Sequence, residues 1–473
     1  MPHTIMAFDA SPAYSDMSAV RALFEKQKAY FATDATKPYD WRIDQLHRLS
    51  RMLSENEKRF SDAAKSDFKT ALQEHVFGVA ASIGSIEATK KQLEKWMEPL
   101  EAPIPKFLIT TGHKGNREPY GVTLIICPFN GPLLLSLRPA AAALSAGNTC
   151  LMKLSGALTA TNEVLLELIP KYFEPEALAA ITGDIDAMAE ILRLPFDFIF
   201  LTGSVGAGKA VMKAAAEHLT PVLLELGGQN PAIVDETADL PDAARKIVWG
   251  SMAWGGQWCT SPGYVAVHQS VADAFVGACK EAVVDLYGTD PRHNPDYSKI
   301  VSSAAVKKLA SRIDPDKVVH GGDFDESARY LAPTILYPVA WTDRIMDDEI
   351  FGPILPILTY SSLGELIAKI KTLPKPLAGY VFSRNQQTVD RVLRSLSFGG
   401  GAVNQTNIFL FIETMPYGGV GASGLGHYYG KYGFDALTHA KSILVSPADV
   451  AIDHLFPPYT DEKVKALAQW FDY

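Results

Sequence analysis

The chain has 473 residues, of which 47% are hydrophobic and 21% are charged, and its net charge is −9. This length is enough for several domains with buried cores, and the acidic balance argues against nucleic acid or an anionic membrane as the main partner. The N-terminus lacks the basic start and apolar core of a signal peptide, and no long uncharged apolar run predicts a transmembrane helix. We therefore expect a cytoplasmic protein without a membrane anchor.

Cysteine usage also limits the class of protein. Cys127, Cys150, Cys259 and Cys279 form no CxxC pair and no Cys/His cluster with zinc-ligand spacing. In a chain of this length they do not suggest a disulfide framework either. We expect a reducing environment and no metal site.

The N-terminal part of the chain is predicted to be helical. Residues 1–15 look loosely attached, whereas residues 17–97 carry apolar side chains at i, i+3 and i+4 spacing. Prolines at 99, 103 and 105 end this pattern, and β-type residues within 107–118 favour an edge hairpin.

Strands and helices alternate after Gly121, which predicts an α/β fold with a doubly wound parallel sheet. Strands are predicted at residues 122–126, 150–153, 196–201 and 222–225, helices at 138–147, 157–168 and 204–217, and residues 177–181 lead to Gly183. The pattern restarts after Gly228, with strands at 233–234 and 264–267 and helices at 242–253 and 271–286. It predicts a second α/β domain that extends to about residue 416. Such sheets bind ligands at the carboxyl ends of their strands.

Residues 203–210 (GSVGAGKA) nearly match the P-loop pattern G-x-x-x-x-G-K-[ST] between a strand and a helix. The last position is Ala210, which has no hydroxyl to hold Mg²⁺, so an ATPase is disfavoured. The helix N-terminus suits the diphosphate of a dinucleotide equally well. A tight turn that needs glycine is the third interpretation.

A carboxylate and a thiol are the candidate reactive groups. Glu225 ends an apolar strand, where it is either a partnered structural group or a general base whose pKa is raised by burial. Cys259 follows two glycines in residues 254–260 (WGGQWCT), and is either an inert buried cysteine or a nucleophile that a ligand can approach closely. Asn130 lies in a turn after the first strand, where its amide is either a turn former or an oxyanion donor.

At this point the chain resembles the aldehyde dehydrogenase superfamily over nearly its full length. Residues 225–228 (ELGG) resemble the family's general-base motif, residues 256–259 (GQWC) its nucleophile motif, and residues 128–130 (PFN) its oxyanion motif, with Phe129 where Trp is usual. The resemblance implies that Cys259 adds to an aldehyde, that Asn130 holds the oxyanion, and that Glu225 activates the water that hydrolyses a thioester.

The resemblance also implies a nicotinamide dinucleotide cofactor. Its expected contacts are Lys153 at the adenosine ribose, Gly203 and Ser204 at the diphosphate, Glu349 and Phe351 of residues 349–353 (EIFGP) at the nicotinamide ribose, and in addition Ser155, Gly183 and Leu226. Asn404 matches an asparagine that lines the active site. Together with Phe129, Trp258 and Phe409 it completes the predicted substrate site, whose aromatic side chains favour an apolar, aromatic aldehyde of the coniferyl or benzaldehyde type.

Three segments indicate a branch within the superfamily. The short N-terminal part, residues 430–435 (GKYGFD) and residues 439–441 (HAK) look like the class 3, fatty-aldehyde and coniferyl-aldehyde branch, whose members are usually dimers. The resemblance divides the chain into a cofactor domain (1–98 and 119–227), a catalytic domain (228–417), and a small β oligomerisation arm with a C-terminal tail (99–118 and 418–473). We expect a homodimer.

Three positions depart from the family pattern. At the position of Gly156 the family often has Glu, which binds the adenosine 2′-hydroxyl. A carboxylate there would repel a 2′-phosphate, and its absence removes this repulsion. We therefore predict that NADP is accepted as well as NAD. Trp258 directly precedes the nucleophile where smaller residues are common, and Glu413 replaces a frequent His without a role that the sequence reveals. The alternatives left open are a long-chain aliphatic aldehyde, an acyl-CoA-forming reaction, a non-catalytic relative and, in another class, a P-loop-like nucleotide-binding protein.

Overall fold

Two β-sheets, each covered by helices on both faces, organise the computed structural model of the chain, which describes residues 16–100, 112–446, 448 and 456–469. The predictions for residues 1–15 and 107–111 lie outside these ranges. The strands are β1 Gly112–Pro119, β2 Val122–Ile126, β3 Thr149–Lys153, β4 Leu178–Ile181, β5 Phe198–Thr202, β6 Val222–Glu225, β7 Asn230–Val234, β8 Pro262–His268, β9 Val318–His320, β10 Phe324–Asp325, β11 Tyr330–Leu331, β12 Thr334–Leu336, β13 Ile354–Tyr360, β14 Ala378–Phe382, β15 Gly400–Val403, β16 Gly424–Leu425 and β17 Thr438–Val445.

The N-terminal part is helical, as its apolar spacing predicted. Helices α1 to α5 span Met17–Phe31, Tyr39–Glu55, Glu57–Asp67, Ala71–Gln73 and Ala81–Trp96, and a π-helical segment, Glu74–Ala80, joins the last two. The later helices are α6 Leu134–Ala146, α7 Ala160–Tyr172, α8 Ile185–Ile191, α9 Val205–Ala215, α10 Leu240–Met252, α11 Ala272–Tyr287, α12 Ser303–Ala310, α13 Leu363–Ile370, α14 Gln386–Ser395, α15 Gly430–Ala436 and α16 Asp461–Leu467. In the described ranges, no helix is long and apolar enough to cross a membrane.

The first sheet has the strand order β16-β6-β5-β2-β3-β4. Its strands run parallel except for β16, which pairs antiparallel with β6. The strands are buried on both faces, as their continuous apolar runs predicted. The chain order reverses between β3 and β5 on either side of β2, and this point of reversal places the loops after β2 and β5 next to each other at the ligand-binding edge.

The second sheet has the order β15-β14-β7-β8-β13-β12-β9 and is parallel except for β9. Helices α10 and α11 cover one face around Phe275 and Ile247, and α12, α13 and α14 cover the other around Ile233 and Leu366. The α/β repeat after Gly228 therefore forms its own sheet, as predicted.

A two-stranded ribbon lies apart from both sheets. Strand β1 pairs antiparallel with β17 over eight residue pairs, from Gly112 with Val445 to Pro119 with Thr438. The expected local hairpin is therefore wrong for residues 112–118, because the partner strand comes from the far end of the chain. Residues 424–425 and 430–436, which the resemblance assigns to the oligomerisation arm and tail, are not part of this ribbon. Strand β16 extends the first sheet, and α15 packs on α6.

Candidate active site

Cys259 follows a turn of three successive left-handed residues, two of which are glycines. Trp254, Gly255 and Gly256 all have left-handed backbones, with φ of 56°, 63° and 68°. A Cβ on Gly256 would lie 2.2 Å from the carbonyl carbon and oxygen of Gly352. The turn therefore brings the backbone before the thiol against the segment that carries Glu349 and Phe351.

The Cys259 loop is fixed by buried polar side chains. The Asn230 Nδ2 donates to the carbonyl oxygens of Cys259 and Ser261 at 2.9 and 2.8 Å. The Tyr380 hydroxyl donates to the carbonyl oxygen of Thr260 at 2.6 Å. Both side chains are buried, so the position of the thiol is set by the second sheet rather than by a free loop.

The thiol borders a narrow cavity. Most of the wall is apolar or aromatic: Leu134, Leu135, Trp254, Trp258, Leu410, Tyr417 and Tyr429. The Tyr417 hydroxyl lies 3.7 Å from the Cys259 Sγ. The cavity is thus mainly apolar and contains one reactive sulfur.

Burial controls the chemistry of the Cys259 thiol. Burial, together with the nearby carboxylates of Glu225 and Glu349, raises the pKa of Cys259 to about 12, although the Tyr417 hydroxyl acts in the opposite direction. The thiol is thus protonated at neutral pH in this state, and addition to a carbonyl requires that the proton leave.

Glu225 ends β6 and is 4% exposed. Neither of its carboxylate oxygens has a hydrogen-bond partner among the described residues, and burial raises the pKa of this group well above its ordinary value. A structural carboxylate at such a position would be paired. An unpaired, buried carboxyl close to Cys259 fits the predicted general base.

Asn130 also presents an unpaired group. It is 3% exposed in the loop between β2 and α6, and its Nδ2 has no partner within the part of the chain that the structure describes. The next residue, Gly131, lines the Cys259 cavity, and a Cβ there would lie 2.6 Å from the Leu135 Cγ. A free amide donor in this loop suits an oxyanion.

The loop after β5 can hold a diphosphate but is not a P-loop. Ser204 caps α9 by accepting from the Ala207 N–H at 3.2 Å, and the helix starts at Val205. Lys209 and Ala210 therefore lie within the helix instead of a phosphate-wrapping loop. Ser204 and Gly206 are exposed at the helix N-terminus, which leaves backbone N–H groups accessible to an anion.

The other predicted cofactor residues lie along the same edge. Lys153 ends β3, and burial lowers its pKa. Ser155, Gly156 and Gly183 follow β3 and β4; a Cβ on Gly156 would have only the Gly183 carbonyl oxygen nearby, at 3.8 Å. Leu226 packs onto Gly208 of α9, where a Cβ would lie 2.8 Å from the Leu226 Cδ1.

Glu349 and Phe351 face this edge from the second sheet. The Glu349 carboxylate occupies the space that a Cβ on Gly227 would take, 2.1 Å from Oε1, and burial raises its pKa to about 7. Phe351 has a φ of 53° and packs edge-to-face on Phe129 at 5.7 Å. Lys153 ends β3, Ser204 follows β5, and Glu349 lies against Gly227 just after β6, so the three side chains border the same edge of the first sheet. Their chemistry fits a dinucleotide, which Lys153, Ser204 and Glu349 would hold.

The predicted substrate residues are only partly brought together. Trp258 is a wall of the cavity and stacks 4.0 Å from Trp254. Asn404 requires a correction: its Oδ1 accepts from the Ser383 N–H and its Nδ2 donates to the Ser383 carbonyl, so it ties the ends of β14 and β15 outside the cavity. Phe129 and Phe409 are not among the residues that line this cavity; their rings pack against Phe68 at 5.9 Å and Tyr417 at 6.0 Å.

Several site residues escaped the sequence reasoning. Tyr417 has no role that the sequence predicts, and Asn230 is an ordinary polar residue at a strand start. Lys69 and Glu74 line the Cys259 cavity although they lie in the N-terminal helical part. No local signal reveals them, because only the packing of this part on the second sheet places them there.

Glu413 has a structural role. It pairs with Arg138 at 2.5 Å and accepts a hydrogen bond from the Ser85 hydroxyl at 2.9 Å. The Arg138 guanidinium lies 4.0 Å over the Tyr429 ring, and Tyr429 stacks on Tyr417 at 4.6 Å. The pair thus supports the aromatic wall beside the thiol.

Comparison with known proteins identifies the family of this chain. Residues 7–443 match the sequence model of the Aldehyde dehydrogenase family. The 4,4'-diaponeurosporen-aldehyde dehydrogenase of Staphylococcus aureus is 39% identical over 458 residues, which cover 96% of this chain and 100% of that protein. Aldehyde dehydrogenase family 3 member B1 of Homo sapiens is 38% identical over 442 residues, covering 92% and 94%.

A solved structure, the substrate-bound state of Staphylococcus aureus AldH, has a TM-score of 0.93 and 39% identity, and covers 96% of this chain and 99% of that one. The predicted resemblance and fold class are therefore confirmed. The chain belongs to the aldehyde dehydrogenase family, among its class 3 relatives, and is an NAD(P)-dependent enzyme that oxidises aldehydes.

Proposed function

We propose that this enzyme oxidises an apolar, aromatic aldehyde of the coniferyl or benzaldehyde type to the carboxylic acid. The observation that carries the proposal is the cavity beside Cys259, whose wall includes Trp254, Trp258, Tyr417 and Tyr429. Aromatic side chains contribute large apolar area and favour offset or edge-to-face contacts with a ring.

In the proposed mechanism the Cys259 thiolate adds to the aldehyde carbon and forms a thiohemiacetal. The Asn130 amide and the Cys259 backbone N–H hold the oxyanion, each worth about 3 kcal/mol by analogy with other oxyanion holes. The oxidised nicotinamide, when bound, supplies the hydride acceptor and a positive charge. Glu225 then takes a proton from the water that attacks the resulting thioester, and the acid leaves.

The first prediction separates the two half-reactions. Cys259→Ala should abolish oxidation, since no thiohemiacetal forms. Glu225→Gln should still give a burst of reduced nicotinamide of about one equivalent per site, followed by turnover reduced at least 100-fold, because an amide cannot accept the proton from water. Stopped-flow absorbance at the reduced-nicotinamide band measures both. Full steady-state turnover in Glu225→Gln would disprove the role of this base.

The substrate class is tested with a panel of aldehydes. With either NAD or NADP, kcat/KM should be higher for benzaldehyde and coniferyl aldehyde than for straight-chain aldehydes of 6 to about 16 carbons. Free CoA should change neither the rate nor the product. Higher kcat/KM for the long straight chains would favour the alternative, a long-chain aliphatic aldehyde dehydrogenase. An acyl-CoA product would contradict hydrolysis by Glu225.

The second prediction concerns the cofactor. At Gly156 the side-chain space is open and no carboxylate stands there, which supports use of NADP beside NAD. Gly156→Glu should raise the KM for NADP about tenfold or more, since a carboxylate repels the 2′-phosphate, and should leave the KM for NAD unchanged or lower. Gly206→Ala is a poor control because it touches the diphosphate turn, so Gly277→Ala in α11 serves instead. An NAD preference of 100-fold in the unaltered enzyme would contradict this assignment.

We also infer that the enzyme is a cytoplasmic homodimer. All four cysteines are unpaired thiols, which suits a reducing compartment. The ribbon of β1 and β17 presents exposed apolar side chains, Ile443, Leu444 and Val445, and a two-stranded ribbon has free edges that another chain can extend.

A further inference from the structure

The wall of the Cys259 cavity contains a buried ion pair that the proposed mechanism does not use. The Lys69 Nζ lies 2.8 Å from the Glu74 Oε2, and the two side chains are 1% and 0% exposed. Both residues line the same cavity as Cys259. Burying two charges costs several kcal/mol per ion before their attraction is counted, so a pair at this place is unlike ordinary apolar packing.

The local backbone is built to fit this pair. Lys69 follows the end of α3, where its N–H donates to the Ala64 carbonyl, and Glu74 opens the π-helical segment Glu74–Ala80. One helical turn further, Gly78 has no side chain; a Cβ there would lie 2.2 Å from the Glu74 Oε1. Gly78 itself lines the cavity, so the glycine leaves room for this oxygen at the cavity wall.

The pair has hydrogen-bonding capacity to spare. The Lys69 ammonium carries three N–H donors, of which one reaches the Glu74 Oε2, and it lies 4.0 Å over the Trp254 ring. The Glu74 Oε1 is buried and has no partner among the residues that the structure describes. An unpaired, buried carboxylate oxygen is costly unless a donor reaches it.

We propose that Lys69 and Glu74 bind a neutral hydroxyl group on the aromatic aldehyde, so that the preferred substrate is a hydroxylated aromatic aldehyde. The hydroxyl donates to the Glu74 Oε1, and its oxygen accepts from the Lys69 ammonium. A hydroxyl is both donor and acceptor, as this site requires. The pair is neutral as a whole. A carboxylate on the substrate would be repelled by Glu74, and an ammonium would be repelled by Lys69, so both substituents are disfavoured. This inference rests on the proposed oxidation of aromatic aldehydes.

The test compares 3- and 4-hydroxybenzaldehyde with 3- and 4-methylbenzaldehyde, whose methyl group has the size of a hydroxyl. At a pH that keeps the phenol protonated, kcat/KM should favour the hydroxyl compound at least tenfold at one ring position. Calorimetric Kd values for Cys259→Ala should show the same preference for the hydroxyl compound. Because this variant cannot form the thiohemiacetal, its Kd values report binding without the effect of the ring substituent on the electrophilicity of the carbonyl. In Glu74→Gln the hydroxyl-to-methyl ratio should fall below threefold.

Glu87→Gln is the matched control, because Glu87 forms an ion pair with Lys90 at 2.8 Å in the same helical part but does not line the cavity. The hydroxyl-to-methyl ratio of kcat/KM should be the same in Glu87→Gln as in the unaltered enzyme. Equal affinity of Cys259→Ala for hydroxyl and methyl compounds overturns the inference, whether or not Glu74→Gln folds. An equal loss of both compounds in Glu74→Gln also overturns it, since the pair is then only structural.

Failure of the proposed function gives a different result. If no aromatic aldehyde turns over while a straight-chain aldehyde does, the proposed aromatic substrate class is wrong, and the proposed hydroxyl site is then wrong as well. If both aromatic compounds turn over with equal kcat/KM, only the hydroxyl site is wrong.

Discussion

At the scale of single residues, the site combines groups that burial has left unpaired. The Glu225 carboxyl and the Asn130 amide have no partners among the described residues, and the Cys259 thiol has a single distant one, the Tyr417 hydroxyl. Elsewhere in a folded protein such groups would be paired or replaced by apolar ones. Glu225 lies close enough to raise the pKa of Cys259, and Gly131, the neighbour of Asn130, lines the Cys259 cavity. This proximity suggests that the partners are the reacting groups themselves.

The third prediction concerns the reactivity of Cys259 without cofactor. Because burial raises its pKa to about 12, the thiolate fraction and the iodoacetamide alkylation rate should rise about tenfold per pH unit from pH 7 to 9, without a plateau. Tyr417→Phe removes the donor that stabilises the thiolate and should lower the rate about 3- to 10-fold throughout. Mass spectrometry of the Cys259 peptide measures the alkylation rate.

Tyr428→Phe is the matched control for this experiment, because Tyr428 is a buried neighbour of Tyr417 whose hydroxyl has no partner in the described ranges. Equal alkylation rates in Tyr417→Phe and Tyr428→Phe would show that Tyr417 does not act on the sulfur. A plateau below pH 8 would show that the thiol titrates far lower than its burial implies.

At the scale of elements, the left-handed turn before Cys259 couples the nucleophile to the Glu349 segment. Three successive left-handed residues are strained for Trp254 and allowed for the two glycines. Asn230 and Tyr380 then hold the loop from the second sheet. The position of the sulfur therefore depends on backbone contacts as much as on its own side chain.

The fourth prediction follows from this turn. Gly256→Ala forces a Cβ to within 2.2 Å of the Gly352 carbonyl unless the backbone moves. We expect kcat/KM to fall at least tenfold and the Tm to drop by several degrees, because strain and clash act together. Gly277→Ala in α11 has open space around the new Cβ and should keep the activity and raise the Tm slightly. Unchanged activity of Gly256→Ala would contradict the role of this turn.

At the scale of the whole molecule, the site joins two sheets. Glu225, Lys153 and Asn130 follow strands of the first sheet, whereas Cys259 and Glu349 belong to segments of the second. The N-terminal helical part adds Lys69 and Glu74 to the cavity wall. The proposed nucleophile and the proposed base thus come from different sheets of the fold, and only the packing of these sheets brings them together.

The fifth prediction concerns assembly. Leu444 is 53% exposed on β17, and Leu444→Glu should convert the proposed homodimer to monomer at micromolar concentration, since like charges would face each other across a two-fold axis. Analytical ultracentrifugation measures the mass. Leu219→Glu, at an 89% exposed apolar side chain before β6, is the matched control and should stay dimeric. A Leu444→Glu protein with the mass of a dimer would place the interface elsewhere.

Much of this molecule follows from the sequence by itself. Apolar runs such as Val122–Ile126 and Val222–Glu225 predicted strands with their true bounds, Gly147 ended its helix with a left-handed φ of 88°, and Ser204 caps α9. These features depend on local rules of burial, capping and backbone freedom, which the residues carry with them.

Other features were decided only by the tertiary structure, since they depend on residues far apart in the chain. The partner of β1 is β17, Asn404 is satisfied by Ser383, and Glu413 is satisfied by Arg138. The Lys69 and Glu74 pair reached the Cys259 cavity through the packing of the N-terminal helices. The sequence determined which side chains could react, whereas three-dimensional packing decided which of them share a cavity, because burial and pairing are properties of the assembled core.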